Sequence, residues 1–365
     1  MKKLLVIAAT LAASSAFAGV KLEVRSDYVN TPDFSAANGA NVAGKSLFTP
    51  NVARLYLNGN VGEAVVESAW NLRSFAPVVV GTDLYKVMTV DQFVDHLWAG
   101  KAMGAWMFKA GKLEVNTGGF ERQKNLHGDT YLVSLANNGA GGYATAASAD
   151  AALIANPENS SGISAAFSIT ENHKLEAQVT NQTNSVTVDG GAVSTDKRHN
   201  MGLNYLGSFM DKMLVLNLNY TSGAGDVQGA GHEQVFQAAS LRVAPMADLT
   251  IDLEYFANSD KTVTTTSTEA KTTSTIIEAR YNINGWIPVL KYEMSENKSA
   301  AGNTAQDFKR DAYAVGVEYV PKADEAFRYH VAYSSAKDKD FGTGAGDSTK
   351  NMVVVGFKYT GDMAK

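Results

Sequence analysis

The 365-residue chain has no cysteine, only 7 prolines, and fewer cations than anions, 32 Lys and Arg against 37 Asp and Glu. Each shortage excludes something. Without cysteine no disulfide staples the fold, so an exported protein needs another device, and closed hydrogen-bond ladders are one. Beyond the first residues no run of 18 apolar residues occurs, which excludes helical membrane spans. The formal net charge of −5 lacks the basic face that a nucleic-acid partner demands, and none is expected. Catalytic signatures are missing too. No G-x-S-x-G or H-E-x-x-H pattern accompanies His96, His127, His173, His199, His232 and His330, which fall one per segment. With no cysteine and no close histidine pair, neither a metal site nor a cofactor is expected. Asp338 and Asp340 are spaced to touch Ca²⁺ but lack the glycine and glutamate of a dedicated loop.

What is present begins with an address. Lys2 and Lys3 precede the apolar run from Leu4 to Ala13, and Ala16-Phe17-Ala18 supplies small residues at the −3 and −1 positions of a cleavage site. The run is too short to cross a bilayer as a helix. This is the pattern of a secretory signal peptide over residues 1–18, leaving 19–365 as one domain. Loss of Lys2 and Lys3 leaves 30 cations against 37 anions in the mature chain, a net charge of −7.

Hydrophobic residues make up 45% of the chain, yet they are dispersed, and the spacing is two. Val20, Leu22, Val24 and Tyr28 share one face, while Lys21, Glu23, Arg25 and Asp27 share the other. Side chains of a strand alternate in this way. The pattern recurs at Leu214–Tyr220, Leu249–Tyr255, Tyr313–Tyr319 and Phe327–Tyr333. Strands are read at 20–30, 51–60, 62–73, 89–101, 104–114, 161–170, 173–183, 198–208, 212–222, 233–244, 247–258, 273–284, 285–295, 309–320, 325–336 and 349–359. Each has roughly the 9–12 residues that cross a bilayer at a barrel's tilt, and the total of about 16 is even. The weakest alternation is in 89–101, where Asp91, Phe93, Asp95 and Leu97 share a face.

Short connections, such as Asn60-Val61, Glu171-Asn172 and Asn284-Gly285, alternate with long ones at 31–50, 74–88, 115–160, 184–197, 223–232, 259–272, 296–308 and 337–348. The fold class is therefore all-β, a transmembrane up-and-down antiparallel barrel with short periplasmic turns and long outer loops. Tyrosine and phenylalanine near strand ends, among them Tyr28, Tyr205, Tyr220, Tyr255, Tyr292 and Phe327, fit interfacial girdles.

This rhythm, over the whole mature chain, resembles the general porins of Gram-negative outer membranes. Lys109-Ala110-Gly111-Lys112-Leu113-Glu114, followed by Gly118-Gly119-Phe120-Glu121-Arg122, is similar to the family where a strand leads into its longest loop. Asn159-Ser160-Ser161-Gly162-Ile163-Ser164 resembles the return from that loop. The resemblance implies a 16-stranded barrel, a homotrimer set in outer-membrane lipid and lipopolysaccharide, and passage of small hydrophilic solutes and ions. It also implies a third loop, residues 115–160, folded into the pore, with acids facing basic residues of the early strands. The matching positions are Arg25, Arg54, Arg73 and Lys109 on the wall, and Glu121, Asp129, Asp150 and Glu158 on the loop, with Asp129 the leading partner. Opposed charges of this kind filter solutes. Two departures stand out. The family ends on an aromatic residue, whereas Tyr359 is followed here by six more residues, and the family's acidic Pro-Glu-Phe-Gly-Gly stretch is absent.

Gly39-Ala40-Asn41-Val42-Ala43-Gly44-Lys45-Ser46 matches a phosphate-binding loop by letter. That motif works only between a strand and a helix, and Leu47-Phe48-Thr49-Pro50 follows here. A sugar- or phosphate-selective channel stays open as an alternative, as do a structural or adhesive barrel and, more remotely, a barrel enzyme.

Overall fold

A computed structural model gives the fold. The structure describes residues 17–32, 34–35, 41–42, 44–72, 78–80, 83–85, 94–127, 129–138, 159–181, 199–227, 230–263, 268–299, 307–321, 326–339 and 347–362. Sixteen antiparallel strands close into one barrel. They are β1 (Phe17–Thr31), β2 (Lys45–Val61), β3 (Ala64–Asn71), β4 (Val94–Met103), β5 (Trp106–Glu114), β6 (Asn159–Thr170), β7 (His173–Asn181) and β8 (His199–Phe209). The series continues with β9 (Leu214–Val227), β10 (Ala230–Met246), β11 (Leu249–Val263), β12 (Thr268–Tyr281), β13 (Trp286–Lys298), β14 (Phe308–Tyr319), β15 (Phe327–Lys339) and β16 (Ser348–Asp362). Each strand pairs with its neighbours in sequence. β1 closes the ring on β16, from Lys21↔Asp362 to Asn30↔Val353.

The two faces are inverted relative to a water-soluble protein. Along β13, Lys291, Glu293, Ser295 and Asn297 are buried in the interior, while Trp286, Leu290, Tyr292 and Met294 are 40–57% exposed on the outside. An oily outer surface around a polar lumen is the signature of a barrel solvated by lipid. The outer aromatics form two belts. Trp106, Phe209, Trp286 and Phe327 lie at the end with short turns, and Tyr220, Tyr255, Tyr292 and Tyr313 lie toward the long loops.

All sixteen expected strands are present, in order. The weak segment survives as β4, shortened to begin at Val94. The first connection is shorter than expected, because β2 begins at Lys45 and pairs with β1 as far as Thr31↔Lys45. Pro50 sits at a register shift opposite Ser26, the kind of irregularity at which a strand tolerates a residue without an N–H. Lys45 and Ser46 thus open a strand, so the helix that a phosphate loop needs does not follow them. The expected 223–232 loop is likewise a hairpin, with Val227 paired to Ala230. In the connections after β1 and β3, Phe34–Ser35 pairs with Asn41–Val42, and Val78–Val80 with Asp83–Tyr85.

The turns are built as their residues demand. Asn284 and Gly285 have φ of 53° and 86°, the left-handed pair of a tight hairpin between β12 and β13. Residues 1–16 of the expected leader lie outside the described residues, and β1 begins at Phe17, opposite Gly59, two residues before the expected start of the mature chain.

Candidate functional site

After β5 the chain turns into the barrel. Gly118 and Gly119 have φ of 79° and 89°, which strains any residue with a side chain. A Cβ at 118 would collide with Asn219 Cβ, and one at 119 with Phe256 Cζ. Only glycine lets the loop run flush along the wall here. Asn116 is tied beside the bend: its N–H donates to Gln178 Oε1 at 3.0 Å, and its carbonyl accepts from Asn219 at 2.9 Å and from Thr221.

Two short helices follow, α1 (Phe120–Leu126) and α2 (Leu135–Asn138). The first turn of a helix leaves N–H groups without partners, and Gly119 offers α1 no side chain to cap them. The wall supplies the caps. Glu254 of β11 accepts from the N–H of Phe120 at 2.6 Å and of Glu121 at 2.9 Å. Glu293 of β13 accepts from the N–H of Leu135 at 2.9 Å, and Ser274 of β12 from that of Ala136 at 3.1 Å. A carboxylate also suits the positive end of a helix dipole.

Between the helices the loop docks an apolar plug. Tyr131 and Leu132 pack on Val289, Ala312, Ala314, Ala332 and Ala336. The small interior residues of β14 and β15 make the space, and the Tyr131 hydroxyl donates to Glu318 at 2.9 Å. Burial beside that carboxylate pushes the Tyr131 phenol well above its ordinary range.

Charges then complete a strap of alternating sign. It runs from Arg242 to Asp252 (2.7 Å), Lys124 (2.6 Å), Glu278 (2.7 Å), Arg280 (2.8 Å), Glu318 (3.2 Å) and Arg328 (3.1 Å). From Arg328 it passes to Asp129, Lys358 (2.8 Å) and Glu23 (2.6 Å), and ends where the His127 ring lies 3.3 Å from Glu23. Lys124, His127 and Asp129 come from the loop, and the rest from strands β10–β12, β14–β16 and β1.

The expected site residues fall into four groups. Glu121 is 0% exposed and bonded to Ser134, Asn137 and Lys291. It holds the loop together instead of facing solutes. Asp129 does bind basic wall residues, but they are Arg328 and Lys358, not the early-strand set. Arg25 is engaged by Asp27 at 2.8 Å and donates to the Thr130 carbonyl at 3.3 Å. Arg54 is engaged by Asp95 at 3.0 Å. Lys109 lies over the Trp98 ring, 4.6 Å from its centroid. Arg73, Asp150 and Glu158 lie outside the described residues. The correction has a simple cause. The glycine bend sends the loop toward β9–β11, so it travels along the late strands and meets β1 from the far side. Lys291, Glu254, Glu293, Arg328 and Lys358 were missed because each is one more polar residue on an alternating strand. The alanines of β14 and β15, small residues on a polar face, were the available signal. Asp338, considered for Ca²⁺, is held by Arg310 at 2.6 Å, and Asp340 lies outside the described residues.

No family model and no curated protein sequence matches the chain. Solved structures do. An anion-selective porin from Comamonas acidovorans aligns over 94% of this chain and 98% of its own, with TM-score 0.65 and 12% identity. The outer membrane channel DcaP of Acinetobacter baumannii aligns over 94% and 96%, with TM-score 0.61 and 11% identity. Salmonella typhi OmpF, in complex with daunomycin, aligns over 94% and 97%, with TM-score 0.57 and 14% identity. The chain has the porin fold.

Within that porin fold Asp129 gives a pH test. Burial acts to raise its pKa, but Arg328 and Lys358 outweigh it and hold the carboxyl below its ordinary 3.8. A depressed folded value means the pairing stabilises fully above 3.8 and fades as pH falls through the lower folded value. Asp129→Asn should therefore make the loop easier to cleave by a constant factor at neutral and mildly acidic pH. The gap from wild type should close only below about pH 4. Limited proteolysis across pH measures it, and a gap that closes near pH 6 would contradict the pairing.

Proposed function

We propose that the protein is an outer-membrane porin, a water-filled channel for passive diffusion of small hydrophilic solutes and ions. Residues 1–18 direct export, and the mature barrel sits in outer-membrane lipid and lipopolysaccharide as a homotrimer. One observation carries this reading. The barrel's interior is polar and charged, and a loop bonded to its inner wall narrows it. A narrowed, wet lumen passes solutes and filters them by size and charge. Arg25, Arg54, Arg73 and Lys109 belong to the constriction on the wall side, and Asp129, Asp150 and Glu158 on the loop side. No catalytic step is required of it.

Planar-bilayer recording tests the proposal. Purified protein should add conductance in discrete steps, in KCl, with no ligand present. A barrel that inserts and stays closed would refute the channel. Recovery only as monomers after crosslinking would refute the trimer while leaving the channel standing.

A further inference from the structure

Interior cations in this barrel are mostly committed. Arg25, Arg54, Lys174 and Lys291 each pair with a carboxylate. Lys21 and Lys109 differ. Among the described residues neither pairs with a carboxylate, and each lies over an aromatic ring. Lys21 Nζ is 5.3 Å from the Tyr56 centroid and Lys109 Nζ is 4.6 Å from that of Trp98. The second placement depends on Gly100. A Cβ there would stand 3.2 Å from both Lys109 Cγ and Trp98 Cζ3, so the missing side chain leaves the notch in which lysine and indole lie together. Carboxylates are nearby. Glu67 on β3 and Glu176 on β7 lie two strands to either side of Lys109, but His96 engages the first and Lys174 the second.

An ammonium held on a ring face gains a modest cation–π attraction and keeps its N–H donors for water or for a passing anion. A paired lysine does not. The two stations are close. Tyr56 is opposite Ala69 and Trp98 is opposite Glu67, on the same strand β3 and two residues apart. Conduction requires sites that attract a solute enough to admit it and weakly enough to release it, preferably more than one.

We propose that Lys109 on Trp98 and Lys21 on Tyr56 form a two-station relay for small organic carboxylates, and that these two lysines set the channel's solute preference. The proposal rests on the channel reading above. The gluconate anion is the probe. Reversal potentials across potassium gluconate gradients give the anion-to-cation permeability ratio, after KCl conductance has shown that each variant forms open channels. Lys109→Gln or Lys21→Gln should lower that ratio about threefold and the double variant about tenfold, since a fixed charge in a pore shifts local ion populations strongly. Lys109→Arg should keep it. Trp98→Leu should lower it as much as Lys109→Gln, because the released ammonium then falls onto Glu67 or Glu176. A double variant with normal KCl conductance and an unchanged gluconate ratio overturns the relay. A Trp98→Leu channel with wild-type preference overturns the role of the ring. Absence of KCl conductance in the wild type removes the channel reading itself, and the relay with it.

Discussion

Replacing Lys291 by methionine should free the middle of the third loop and raise single-channel conductance. Lys291 projects from β13 and is buried beneath the loop, and its ammonium donates to Glu121, to the Leu132 carbonyl at 2.7 Å and to Thr130 Oγ1 at 3.3 Å. Its removal leaves Glu121, 0% exposed, as an uncompensated buried charge. Breaking one side of such a pair costs about 3–5 kcal/mol, most of it the penalty of the charge left behind. The loop can escape that penalty by leaving the wall and hydrating Glu121, whereas the barrel ladder cannot. The loss therefore falls on loop docking. Trypsin should then cut after Lys124 in an otherwise folded barrel. The double variant Glu121→Gln, Lys291→Met removes the orphaned charge and should recover much of the wild-type conductance. Wild-type conductance and protease resistance in K291M would show that the loop is held elsewhere.

A second pair of substitutions one residue apart should have opposite outcomes. Leu203 is 49% exposed on the outer surface of β8, and Asn204 points inward to Asn217 at 2.8 Å. Arginine on the lipid face near mid-membrane costs about 2–4 kcal/mol, while lumen positions tune selectivity instead. Leu203→Arg should block refolding into lipid vesicles, read as loss of the heat-sensitive gel shift. Asn204→Arg should refold and shift the reversal potential toward anions. Equal refolding of both variants would mean that the outer face is not solvated by lipid.

These expectations divide along the line between what alternation reports and what it does not. Leu203 and Asn204 can be told apart in the sequence, because a strand with lipid on one side and water on the other must alternate. Beyond the apolar band both faces meet water, so Lys45–Pro50 and Gly223–Val227 read as loops although they pair. The third loop was legible as a long insertion with paired glycines. Its partners were not. Lys291 and Arg328 look like any inward residue of a polar lumen, and only the direction of the Gly118-Gly119 bend decides which wall the loop meets. Asp129 reads as the partner of Arg25, Arg54, Arg73 and Lys109, whereas the cations it meets, Arg328 and Lys358, lie 199 and 229 residues away in the chain.

Those separations carry a consequence for the order of assembly. Phe120 and Glu121 wait for Glu254, 134 and 133 residues later, and His127 waits for Lys358, 231 residues later. Contacts between residues so far apart in the chain form late, because their loop-closure cost must be met first. The loop is made early and its moorings are made last. Until those late strands are in place the loop has no wall to dock on, and the lumen is not yet narrowed by it. A chain truncated before β16 lacks Lys358, and one truncated before β13 lacks Lys291 as well. Each missing strand removes a mooring, so docking of the loop reports that the cylinder is complete.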